Sequence, residues 1–90
     1  MNGTEARFVE RIVKGFANHR RLQILELLRQ EPDMLLDQIA ERLDISYMNT
    51  SDHLRRMVLG GLVAKRHEGV YVHHRLTDRG KEVLVFCKKL

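Results

Sequence analysis

The chain is poor in the features that staple, anchor or arm a protein. It has one cysteine, Cys87, among 90 residues, which excludes an internal disulfide and suits a reducing cytosol better than a secreted scaffold. No apolar run approaches the roughly 18 residues of a membrane span, and no basic segment leads into an apolar one as in a secretory leader. No membrane partner is expected, and the expected location is the cytoplasm. There is no internal repeat or low-complexity tract. A glycine-rich phosphate loop and zinc-hydrolase spacing are both missing, and the serines, histidines and acids find uses in caps, helix faces and a hairpin. No catalytic residue and no cofactor is expected, so the chain does not read as an enzyme.

What is present describes one globular domain spanning residues 1–90, with 43% hydrophobic and 31% charged residues. A chain this short buries only about 60 to 65% of the surface it exposes when unfolded, so a partner subunit would help its stability. The net charge of +4 is unevenly placed: residues 1–45 carry 7 Lys or Arg against 8 Asp or Glu, whereas residues 46–90 carry 9 against 4. A basic half on a small domain suggests a nucleic-acid partner.

Apolar periodicity predicts five helices. Phe8, Val9, Ile12, Val13 and Phe16 stripe a first helix over Glu5–Phe16. Asn18 caps a second, whose Leu22, Ile24, Leu25, Leu27 and Leu28 run towards the single proline, Pro32. A short third helix, about Leu35–Leu43, carries Leu36, Ile39, Ala40 and Leu43 inward. After a tight connection at Asp44-Ile45, Ser46 caps a fourth over Tyr47–Leu59, stopped by Gly60-Gly61. Two β-rich runs follow, Leu62–His67 and Val70–Leu76, joined by Glu68-Gly69 as a two-residue turn. In the second run Val70, Val72, His74 and Leu76 share one face, and Tyr71, His73 and Arg75 the other. Thr77 caps a fifth helix over Asp78–Lys89.

Two helices joined by a short turn, the second polar on one side and followed by a basic hairpin, describe a winged helix-turn-helix. The fold class is mainly α with a small β-hairpin: five helices and a two-stranded wing over residues 62–76. Such a module sets its second helix in the major groove and its wing along the backbone or the adjacent minor groove. Taking about 100° per residue from Thr50, Leu54 lies at about 40° and Met57 at about −20°, so these three face inward. Met48, Asn49, Asp52, Arg55 and Arg56 occupy the opposite arc. Asn49 suits paired hydrogen bonds to adenine, and Arg55 and Arg56 suit phosphates or guanine. Asp52 would repel phosphates unless it pairs with Arg55 or Arg56, or accepts a cytosine amino hydrogen; the sequence leaves both open. In the wing, Lys65, Arg66, His67, Tyr71, His73 and Arg75 are candidate backbone contacts, and His74 is expected to pack inward.

The stretches FANHRRLQILELL, QIAERLDIS and SDHLRRMVLGGLVAKRHEG resemble the winged-helix repressors of the ArsR type, and RLTDRGKEVL resembles the corresponding passage of MarR-type regulators. The resemblance covers about residues 14–85. Its most specific part is Ser51, His53 and Leu54 followed by Gly61, Leu62 and Val63. It implies a homodimer that binds double-stranded DNA, with contacts from Ser51 and His53 beside those above; the cap Ser46 is a further candidate contact. It also implies pairing through the terminal helices, where Phe8, Ile12 and Phe16 would face Val83, Phe86, Cys87 and Leu90.

Many ArsR-type proteins sense metals. The thiolate pair of one such class would fall near Leu35 and Asp37, which supply no sulfur, and the last helix offers Asp78 and Glu82 without histidine, so no metal site is expected. Cys87, among Val83, Leu84, Val85 and Phe86, reads as a small buried hydrophobe before it reads as a redox sensor. With no separate ligand domain expected after the fifth helix, a signal would enter through the dimer interface, a modification or a partner. The competing reading from another class is a winged helix used as a protein-interaction module, and a third is a general chromatin-type DNA binder.

Overall fold

All five helices form in a computed structural model that describes residues 1–90: α1 (Gly3–Phe16), α2 (His19–Gln30), α3 (Leu36–Leu43), α4 (Tyr47–Leu59) and α5 (Asp78–Lys88), with strands β1 (Met34–Leu35), β2 (Val63–Glu68) and β3 (Tyr71–Leu76). Side-chain caps fix the starts of α1, α2, α4 and α5. Asn18 Oδ1 accepts from the backbone N–H groups of Arg20 and Arg21 at 2.9 and 3.3 Å, satisfying donors that no helical carbonyl can reach. Thr77 does the same for Gly80 at 3.1 Å, while its own hydroxyl donates to Gly61 O at 2.5 Å, which ties the start of α5 to the end of α4. Helix α1 begins at Gly3, two residues before the expected Glu5, because Asn2 accepts from the Glu5 N–H at 2.8 Å.

The hairpin departs from expectation in two ways. First, it is part of a three-stranded antiparallel sheet in the order β1-β3-β2. Leu35, expected to open α3, lies instead in β1, where Met34 and Leu35 pair with His74 and His73. Second, the turn is Gly69-Val70 rather than Glu68-Gly69, since Glu68 pairs with Tyr71. Gly69 takes φ +60°, the left-handed geometry a tight two-residue loop demands at little steric penalty only from glycine. Val70 therefore stands in the turn, 90% exposed, rather than on the inner face with Val72, His74 and Leu76.

One core lies between the helices and the sheet. Ile24, Leu25 and Leu28 of α2 form its centre, and Ile39, Leu54, Met57 and Leu62 close around them, all at 2% exposure or less. Leu36 and Leu43 pack on its margin, as do Ile12 and Phe16 of α1 and Val83 of α5. The consequence for function is that α4 is held by its inner face, against α1, α2 and α3, leaving its outer face uncovered.

Candidate nucleic-acid interface

The α3–α4 connection is built by Asp44, whose φ of 53° ends α3 in a left-handed residue that aspartate tolerates better than most. The Ile45 N–H still donates to Ala40 O at 3.0 Å, so the chain turns sharply without leaving that group unpaired. Ser46 then starts α4, its hydroxyl accepting from the Asn49 N–H at 3.1 Å and its carbonyl accepting from the Thr50 hydroxyl at 2.8 Å. That second bond lets Thr50 be wholly buried. Thr50, Leu54 and Met57 are 0, 1 and 0% exposed, the seam that the helical spacing predicts.

On the outer side Ser46, Met48, Asn49, Ser51, Arg55 and Arg56 are exposed, and Met48 reaches 81%. Asp52 sits among them and is shared by two arginines: Arg55 Nη2 donates to one carboxylate oxygen at 2.7 Å and Arg56 Nε to the other at 3.1 Å. These hydrogen bonds hold the Asp52 carboxyl below its ordinary pKa. Of the two roles open to Asp52, the free protein thus adopts the ion pair. His53 lies at the edge of the arc, half-buried, where Arg21 of α2 donates from Nη1 to its Nδ1 at 3.3 Å. Burial, reinforced by the Arg21 charge, depresses the His53 pKa, so at neutral pH the ring is uncharged and offers an Nε2–H donor rather than a cation. Arg21, which the sequence pattern did not single out, is itself held below its ordinary pKa by burial and by Arg56.

Register divides the wing residues between two faces. Opposite partners share a face in an antiparallel pair, so Lys65 with His74 and His67 with Val72 point one way, while Arg66 with His73, Glu68 with Tyr71 and Ala64 with Arg75 point the other. Lys65 and Tyr47, at the start of α4, line one shallow groove with Leu35, Leu36, Val72 and His74. Tyr47, 64% exposed, is a further interface candidate, signalled by an exposed aromatic beside the cap. On the opposite face Arg66 donates to Glu68 at 2.7 Å and lies 3.9 Å from Asp33. His73 places Nδ1 3.0 Å from Asp33 O. Arg75 stands at the base of the hairpin beside Leu28, Pro32 and Lys81, away from the turn. His74 is 2% exposed with Nδ1 3.1 Å from Met34 O, the inward packing expected of it; because a carbonyl only accepts, Nδ1 carries the proton, and burial lowers the ring's pKa.

The terminal-helix residues fall into two groups. Ile12, Phe16 and Val83 pack partly on the protein's own core, and Cys87 is half-buried. Phe8, Phe86 and Leu90 are 53, 57 and 89% exposed, and Val9, Val13 and Val85 extend that apolar surface. The Arg79 guanidinium lies 5.3 Å over the Phe8 ring, so the start of α5 meets α1. No group of three or more His, Cys, Asp or Glu side chains is placed to hold a metal ion, and no helix is long and apolar enough to cross a membrane.

Known proteins share this arrangement. A family model described as winged helix-turn-helix DNA-binding matches residues 18–64, the span from the cap of α2 through α4 into β2. The HTH-type transcriptional regulator Rv0324 of Mycobacterium tuberculosis is 38% identical over 68 residues; the match covers 76% of this chain but only 30% of that protein's length. An uncharacterised HTH-type transcriptional regulator of Methanocaldococcus jannaschii, MJ1325, is 31% identical over 80 residues, covering 88% of this chain and 90% of its own. Among solved structures, the homodimeric winged helix-turn-helix DNA-binding domain (fragment 1–100) of Mb0332 from Mycobacterium bovis, "a possible ArsR-family transcriptional regulator", superposes with a TM-score of 0.85 at 29% identity, covering 98% of this chain and 87% of that one. With the fold, the capped outer helix and the basic hairpin in agreement, the chain belongs to the winged helix-turn-helix DNA-binding family of transcriptional regulators, on its ArsR-like side.

Proposed function

We propose that the protein is a sequence-specific repressor that binds double-stranded DNA as a homodimer in the cytoplasm, reading the major groove with α4 and touching the backbone or the adjacent minor groove with the β2–β3 wing. The observation that carries this reading is the outer arc of α4, where a methionine 81% exposed stands beside a free amide above a fully buried seam. Solvent gives an exposed methionine no stabilisation. A thymine methyl and an adenine edge satisfy both side chains.

In this account Asn49 reads adenine, Met48 packs on thymine, and Ser46, Ser51 and the His53 Nε2–H add hydrogen bonds at the margins. Arg55 and Arg56 take phosphates or guanine, with Asp52 restraining them. Lys65, Arg66, His67 and Tyr71 act near the wing turn, and His73 and Arg75 closer to its base. The exposed Phe8, Val9, Val13, Val85 and Phe86 give α1 and α5 an apolar surface for a second copy, and the homodimeric state of the M. bovis relative supports self-association. A dimer at a promoter represses most simply by excluding other proteins.

Selection of bound sequences from a random DNA pool at physiological salt tests the reading. An enriched inverted repeat with half-sites about 34 Å apart is expected. Salt-sensitive binding without enrichment would instead make it a general DNA binder, and failure to bind any duplex would favour the protein-interaction role.

A further inference from the structure

We propose that α1 supplies a second DNA-contacting surface: its flank bearing Arg7 and Arg11 takes backbone phosphates beside the groove that α4 enters. The inference rests on the reading of α4 as the DNA-reading helix and extends the interface to a helix otherwise assigned only to dimerisation.

Arg7, Arg11 and Lys14 are spaced by four and three residues, so they share one flank of α1. At about 100° per residue from Phe8, they lie between about 240° and 300°, whereas Val9, Ile12, Val13 and Phe16 lie between about 40° and 140°. A dimer built on the apolar side leaves the basic flank uncovered. Close packing then brings that flank to α4. Gly15 allows the approach, since a Cβ there would lie 3.1 Å from Leu62 Cδ1 and 3.3 Å from Arg56 O, and one at Gly60 would lie 3.2 Å from Arg11 O. As a result Arg7, Arg11, Lys14 and Arg56 open into one depression of about 310 Å³, floored by Gly15 and Leu59, with Glu10 as its single acid.

The charges in this depression are not self-neutralised. Glu10 lies 3.6 Å from Lys14, and Arg56 is bonded to Asp52. Arg7 and Arg11 take part in none of the ion pairs or side-chain hydrogen bonds of the fold, which occupy Arg20, Arg21, Arg29, Arg42, Arg55, Arg56, Arg66 and Arg79. Two unpaired guanidiniums on one rigid flank present fixed forks of donors, the geometry that matches phosphate oxygens. Continuity selects the ligand: the depression shares Arg56 with the outer arc of α4, so a duplex lying on that arc brings its backbone past α1.

The test is affinity against salt for the full chain, on the selected operator duplex and on a scrambled one, comparing wild type with Arg7→Gln/Arg11→Gln. The double variant is expected to flatten the slope of log affinity against log salt by about 0.9 for each phosphate left without its arginine, up to about 1.8 per protomer. The change should be equal on both duplexes, leaving the operator preference intact. Arg7→Lys/Arg11→Lys should restore most of the slope. Lys81→Gln/Lys89→Gln removes the same charge from α5 and should leave it unchanged; sedimentation and thermal melting exclude loss of dimer or fold as the cause. An unchanged slope in the arginine-to-glutamine variant, or equal flattening by the α5 control, overturns the inference while leaving base reading by α4 intact. A wild type that binds neither duplex overturns both.

Discussion

Replacing Asp52 with asparagine distinguishes two ways of using the outer arc of α4. In the free protein each carboxylate oxygen is engaged by a different arginine, at 2.7 Å for Arg55 and 3.1 Å for Arg56, so the carboxylate already has two charged partners before any base approaches. Asp52→Asn preserves size and removes the charge that holds both guanidiniums. Two cations per protomer are then released to the backbone, and at about 0.9 per phosphate the salt dependence should steepen by up to about 1.8 per protomer. The gain should appear equally on operator and scrambled duplex, so binding becomes tighter but no more selective. Because hydrogen bonds from Arg55 and Arg56 keep the carboxyl below its ordinary pKa, lowering the pH to about 5, still above the usual aspartate range, should not mimic the substitution. The assay is fluorescence anisotropy of both duplexes over a salt series. Loss of the operator's advantage with an unchanged slope would refute the restraint argument and assign Asp52 to cytosine.

Three further outcomes follow from the geometry. Phe86→Glu places a charge on the exposed face of α5 and should give monomers by sedimentation at micromolar concentration, with weakened DNA binding; a variant that stays dimeric excludes this face. Gly80→Ala should destabilise the fold by about 1 to 3 kcal/mol in urea denaturation, because its Cβ would collide with the Leu62 carbonyl, whereas Gly3→Ala, with open space around it, should be close to neutral. The buried His74 has a folded-state pKa below its unfolded one. Its neutral form is therefore favoured by folding, so its contribution is complete above about pH 6.5 and declines as the pH falls through the unfolded pKa towards the folded one. Thermal melts should show this fall, and His74→Gln should reduce it.

The parts legible in the sequence are those that local spacing determines. Helix α4 begins at Tyr47 and ends at Leu59 as its cap and glycines indicate, and its buried seam follows from the helical repeat alone. Strand β1 is not legible: two residues carry no periodicity, and Met34 and Leu35 become a strand only by pairing with residues some forty positions later. The hairpin turn lies one residue beyond its expected place because Val70 has the branched side chain of a strand residue, while the turn is governed by the backbone of Gly69. Asp52 is ambiguous in sequence because spacing allows the ion pairs without requiring them. The basic flank of α1 is masked by the apolar stripe, which draws attention to the other side of the helix. Its meaning emerges only when α1 packs on Gly60 and brings Arg7 and Arg11 beside Arg56.

The claim that α4 reads bases is tested most directly by the affinity of Asn49→Ala for operator and scrambled duplex across a salt series. Asn49 is exposed at the first turn of α4, so its truncation leaves the buried seam untouched. The account predicts a loss of about 1 to 3 kcal/mol on the operator, confined chiefly to one base position in each half-site, with little loss on the scrambled duplex and an almost unchanged salt slope. Equal losses on both duplexes, or no loss on either, would contradict it.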